Sequence, residues 1–127
     1  MAHASFPTQK LRALPLQEMD ILFIENIGNL ICPVAFQLGE QIRVAVASVP
    51  EGDDKPYKYP GIFTAVSGVI VNKIDLIPYV DFNRDGMREA IVRLNQKAEI
   101  FELSCRTGDG MERWTAWLES QWKNRKE

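Results

Sequence analysis

Four short apolar runs, each leading straight into a polar turn, set the limits on how this chain can fold. They are DILFIE at 20–25, IRVAVASV at 42–49, GVIV at 68–71 and EIFEL at 99–103. Runs this short and this continuously apolar suit strands covered on both faces better than buried helices. The segments between them have helical features. Residues 57–65 carry Pro60 near their start, after a polar loop at 51–55 and a Lys55-Pro56 stop. Residues 82–95 repeat Met87, Ala90, Ile91 and Leu94 at helical spacing. A last helix, starting at Asp109 or Gly110, carries Met111, Trp114, Trp117 and Leu118 on one face, and its charged end over 122–127 frays. Leu11, Leu14 and Leu16 suggest a short helix or turn broken at Pro15. Alternating strands and helices predict an α/β fold: a mostly parallel sheet with flanking helices and right-handed crossovers.

Composition narrows the function classes. The chain has 127 residues, which is the size of one domain, with 46% apolar and 25% charged residues, the balance of a globular chain. Fifteen basic against 17 acidic residues give a net charge of −2, so charge gives no sign of a nucleic-acid or anionic-membrane partner. No apolar run approaches the roughly 20 residues of a spanning helix. The first ten residues lack the apolar centre of a secretion signal and read as a frayed end. Cys32 and Cys105 do not make a disulfide framework, which fits a reduced, cytoplasmic protein.

In a parallel sheet the loops at the carboxyl ends of the strands hold the ligand. Three polar groups follow strands directly here: Glu25-Asn26-Ile27-Gly28, Asn72-Lys73-Ile74-Asp75 and Ser104-Cys105-Arg106. Parallel strands put all three on one rim. A carboxylate at Asp75, set edge-on to guanine, accepts hydrogen bonds from the ring N–H and the exocyclic amine together, and adenine has no matching pair of donors. The Lys73 stem can lie over the base plane, and the Asn72 side chain can tie the loop to its neighbours. Ser104-Cys105-Arg106 stands where guanine-nucleotide proteins place a small turn whose backbone N–H meets the base carbonyl. The plainer alternative is a pair of strand ends capped by Asn, Asp and Ser.

With these residues in view, the sequence resembles the GTPase family that delivers nickel during hydrogenase maturation, the HypB family, a relative of the urease nickel-insertion GTPase. The matching blocks are Asp20-Ile21-Leu22-Phe23-Ile24-Glu25-Asn26-Ile27-Gly28-Asn29-Leu30-Ile31-Cys32-Pro33, Glu51-Gly52-Asp53-Asp54-Lys55-Pro56 with Lys58-Tyr59-Pro60, Asn72-Lys73-Ile74-Asp75-Leu76-Ile77-Pro78-Tyr79, and Ser104-Cys105-Arg106-Thr107-Gly108-Asp109-Gly110-Met111. The likeness runs from about residue 11 to 118. It implies a P-loop NTPase domain of the signal-recognition-particle-like GTPase class that binds GTP with Mg2+ and carries Ni2+ or Zn2+. It also implies a cytoplasmic homodimer that works with other hydrogenase maturation factors and the hydrogenase large subunit. By the same resemblance, Glu25 and Gly28 match the turn facing the γ-phosphate and magnesium, with Glu25 in the catalytic role. Asn72, Lys73 and Asp75 match the guanine contacts. Ser104 and the Cys105 backbone match the second base-contacting turn, where the family usually has Ala in place of Cys105. Cys32 matches a metal-binding cysteine.

Two departures temper the resemblance. No GxxxxGK[ST] phosphate loop occurs in these 127 residues, although that loop supplies the backbone nest and Lys that grip the β- and γ-phosphates. The Cys-His pair that shares the family's metal is also missing, and His3 is the sole histidine. The expectation is therefore the C-terminal part of a GTPase domain over 11–127, incomplete as a P-loop NTPase and unable to hydrolyse GTP alone. Two further readings are a non-catalytic dimerisation or metal-binding module, and a sheet with an open edge and apolar face. From chemistry alone, Asp53, Asp54 and Lys55 read as a solvated loop, and Trp114 and Trp117 as core or interface cover.

Overall fold

The computed structural model describes residues 13–25 and 42–124. Strands β1 (Val44–Ser48), β2 (Gly68–Asn72) and β3 (Glu99–Glu102) form a parallel sheet in the order β1-β2-β3. Helices α1 (Lys55–Lys58), α2 (Pro60–Thr64), α3 (Arg84–Leu94) and α4 (Met111–Lys123) make the connections and the flanks. The α/β class and the three later strands agree with the sequence pattern.

The residue 57–65 helix is two short helices rather than one. Tyr59 sits at φ −132° and ψ 60°, outside helical geometry, because a residue before proline is pushed out of the helical region. Pro60 then opens α2. Pro56 does not act as a stop. It lies in the first turn of α1, where its missing N–H costs no helical bond, and it is buried.

Alternation along the strands makes two faces. Ala45, Ala47, Val69, Val71 and Ile100 point to one side and pack with Ile62 and Phe63 of α2 and with Met87 and Ile91 of α3. This is the main core. On the opposite face, Val46, Ile70 and Phe101 form one cross-strand row. Phe101 is 2% exposed under α4, meeting Trp114 edge-on and Trp117 at a tilt, each with ring centroids 5.3 Å away. Gly68 lets Trp117 come close, since a Cβ there would stand 3.3 Å from the indole. At the other end of the row Val46 is 58% exposed. Cover thus fades from β3 to β1, and among the described residues β1 has no outer strand neighbour.

Residues 20–25 depart from the predicted strand. They carry no ladder, and Ile21, Leu22, Phe23 and Ile24 are 42%, 37%, 69% and 43% exposed. A strand gains its stability from paired neighbours. No described strand lies alongside this run. Only a short 3-10 turn, Leu16–Glu18, forms beside Pro15.

Asn95, just after α3, locks the amino end of the sheet. Its side-chain amide donates to the Phe63 carbonyl at 3.0 Å and to the Val66 carbonyl at 2.9 Å, satisfying the end of α2. Asn95→Ala leaves both carbonyls short of a partner and should cost about 1–3 kcal/mol, read as a lower urea midpoint with an unchanged m-value.

Candidate functional site

Parallel pairing carries the polar turns after β2 and β3 to the same rim. The ladder continues past the strands: the Leu103 N–H donates to the Val71 carbonyl at 3.0 Å, and the Ile74 N–H donates to the Leu103 carbonyl at 3.2 Å. Each turn is therefore pinned to the other by backbone before any side chain acts. Lys73 takes up the left-handed conformation at φ 64° and is the one non-glycine residue with positive φ among the described residues. Non-glycine residues rarely hold this geometry without compensation. The compensation here is local: Asn72 Oδ1 accepts the Lys73 N–H at 2.8 Å.

The same Asn72 oxygen accepts the Cys105 N–H at 3.2 Å, bridging the two turns. Ser104, fully buried, donates its hydroxyl to Asp75 Oδ1 at 2.8 Å. Its Oγ in turn accepts the Thr107 N–H at 3.1 Å. That incoming N–H fixes the direction of the hydroxyl proton, so Asp75 is held as an acceptor with its second oxygen unclaimed by any described side chain. Gly110 closes the turn at φ 77°, and a Cβ there would lie only 2.2 Å from the Glu102 carbonyl, so α4 starts at Met111 and not before. Asn72, Lys73, Asp75, Ser104 and Cys105 thus form one cluster. The expected donor to a base carbonyl, the Cys105 N–H, is engaged by Asn72, and an arriving base oxygen would share or replace that bond.

Glu25 is exposed, in irregular backbone, and stands outside the sheet. Gly28 and Cys32 lie outside the described residues. Among the described residues, no three His, Cys, Asp or Glu side chains gather as a metal site. No helix among them is long and apolar enough to cross a membrane.

Sequence reasoning passed over the supports of this rim. Glu102, at the end of β3, receives Arg84 through Nε at 2.7 Å and the terminal guanidinium nitrogen at 2.6 Å, and Arg88 at 3.1 Å. An acidic residue closing the strand after its apolar Ile100 and Phe101, just before the Ser104 turn, was the available signal. The loop at 51–55 is also less free than its composition suggests. The Asp53 carboxylate accepts the Asn83 N–H at the start of α3, Asp54 pairs with Lys58 at 3.1 Å, and Lys55 lies 5.5 Å from the Tyr59 ring centre. Asp54 is pulled below the usual carboxylate range by its hydrogen bond to Lys58.

This parallel sheet, with Asn-Asp and Ser turns joined at its carboxyl rim, has the architecture of a nucleotide-binding α/β domain. Residues 4–102 match the model of the CobW/HypB/UreG nucleotide-binding domain. The chain belongs to that family. It is 49% identical over 108 residues to the hydrogenase maturation factor HypB of Escherichia coli strain K12, covering 85% of this chain and 37% of that protein. It is 42% identical over 113 residues to the probable hydrogenase maturation factor HypB of Methanocaldococcus jannaschii, covering 89% and 51%. Two crystal structures superpose closely. HypB from Archaeoglobus fulgidus gives a TM-score of 0.86 at 39% identity, over 91% of this chain and 61% of that one. HypB from Helicobacter pylori in complex with nickel gives 0.89 at 33% identity, over 94% and 58%. The sheet described above is that of these HypB structures, and the chain spans only part of each relative's length.

Burial works against the charge on Glu102, but the Arg84 hydrogen bond and the charges of Arg88 and Arg84 outweigh it and hold the carboxyl below its ordinary value. A carboxyl depressed in the folded state contributes stability above its unfolded pKa, and that contribution is lost as pH falls through the depressed value. Denaturant midpoints measured from neutral pH down through the ordinary Glu range and below should therefore fall more steeply for the parent chain than for Glu102→Gln.

Proposed function

We propose that this chain is the guanine-reading part of a GTP-binding nickel metallochaperone for hydrogenase maturation. The observation that carries the reading is the Ser104–Asp75 hydrogen bond across two strand ends, which presents an anionic acceptor pair at the rim. A guanine edge offers a ring N–H and an amine to Asp75, and its carbonyl turns toward Cys105. The exposed Lys73 stem lies beside the plane of the base. Adenine would leave Asp75 facing an acceptor and lose both bonds. The match with hydrogenase maturation factors supports the physiological assignment, as does the likeness to a nickel-bound HypB.

Phosphate and magnesium chemistry would fall to groups beyond the base cluster. In the intact family architecture Glu25 and Gly28 would face the γ-phosphate and Mg2+, with Glu25 orienting the attacking water. Magnesium would supply charge neutralisation to the phosphates. Cys32 would contribute a thiolate to a Ni2+ or Zn2+ site completed by other groups, since a closed site takes about four ligands. Homodimerisation, cytoplasmic location, and work with other hydrogenase maturation factors and the hydrogenase large subunit follow from the same reading.

A second reading, a binding module without catalysis, is favoured by the lack of GxxxxGK[ST] in these residues. The first reading keeps the base site, the second keeps a dimer-forming surface and the Cys32 metal ligand, and neither expects turnover from this chain alone. The purified chain should release no phosphate from GTP above background, with or without magnesium, in a colorimetric assay; magnesium-dependent turnover would remove the second reading and overturn the expected inactivity.

Calorimetric titration with GDP checks the base site itself. Asp75→Ala, which forfeits both edge contacts, should weaken GDP by about tenfold or more, and equal affinity of the two forms would remove Asp75 from the site.

A further inference from the structure

Glu102 touches none of the groups set out for a purine, yet the chain from β3 to Ser104 runs directly through it. Its backbone is paired in register with Val71, and its carbonyl lies against Gly110. Its carboxylate is gripped from the flank by Arg84 and Arg88 of α3. Two residues further on, Ser104 is fully buried against Asp75. Arg84 is itself fixed in place. It follows Asn83, whose N–H is taken by Asp53 and whose side chain accepts the Gly86 N–H at 3.0 Å. Contacts therefore run without a break from the loop after β1, through the first turn of α3, to the end of β3 and the turn beyond it.

We propose that Glu102 is a positioning residue for guanine recognition: clamped by Arg84 and Arg88, it sets Ser104 against Asp75 and so aims the carboxylate, with Asp53 acting through the same clamp. The proposal rests on the guanine reading above. Its logic is geometric. A carboxylate meets two donors on the base edge only at one angle, and a small rotation keeps one bond and loses the other. Guanine and hypoxanthine share the ring N–H and the carbonyl and differ by the exocyclic amine. The ratio of affinities for GMP and IMP therefore reports the aim of Asp75. A loss of folded fraction would weaken both ligands equally and leave the ratio unchanged, so a purely structural role does not move it.

Amide chemical-shift titrations of the isotope-labelled chain with GMP and IMP test this. The parent chain should prefer GMP by about tenfold, the worth of one well-made hydrogen bond. Glu102→Gln, Arg84→Gln and Asp53→Asn should each shrink that preference several-fold, and Arg84→Lys, which keeps the charge, should recover part of it. If Glu102→Gln does not fold, the half-exposed Arg84 and the loop residue Asp53 carry the test. An unchanged ratio in folded variants of a chain that does prefer GMP overturns the positioning role alone. A parent chain with no preference overturns the guanine reading and the positioning role together.

Discussion

The in-register parallel pairing of β2 with β3 is the constraint from which the site follows. Once Val71 stands opposite Glu102, the Leu103 amide reaches Val71 and the Leu103 carbonyl receives Ile74. The two turns must then leave the sheet side by side. Every later contact, Asn72 to Cys105 and Ser104 to Asp75, spans a gap the backbone has already closed. Fixing these groups by backbone lowers the ordering cost of the side-chain bonds, which individually contribute little net free energy.

A second level of order comes from charge. The rim is held from below by an apolar core, but its lateral position relative to α3 depends on Glu102 with its two arginines. Such a pair is weak evidence for stability, because desolvation offsets much of the attraction. What it does show is that α3 and the end of β3 are joined through one carboxylate, by Arg84 Nε and by the guanidinium ends of Arg84 and Arg88. The Asp53 contact to the start of α3 adds a fixed point on the same helix.

Much of this was legible in the residues, because the short apolar runs at 42–49, 68–71 and 99–103 suit parallel strands, although the first of them is covered on only one face, with Val46 exposed on the other. Asn72, Asp75 and Ser104 were legible as a group because each ends such a run. What escaped was of two kinds. The run at 20–25 has strand composition, but composition does not supply a neighbour, and its apolar side chains stay exposed. The roles of Glu102, Arg84 and Asp53 depend on separations of 18 and 30 residues along the chain, and no local pattern encodes them. The break at Tyr59-Pro60 was readable in principle from the restriction proline places on its predecessor.

The fading cover along Val46, Ile70 and Phe101 has a consequence for how the molecule breathes. β3 lies under a tryptophan-bearing helix and β2 has ladders on both sides, whereas β1 has one described ladder and an open face. Opening to solvent is graded by such differences, and the thinly covered element opens first. β1 is thus the pliant margin of the domain, while the strands that carry the paired turns exchange their amide protons last.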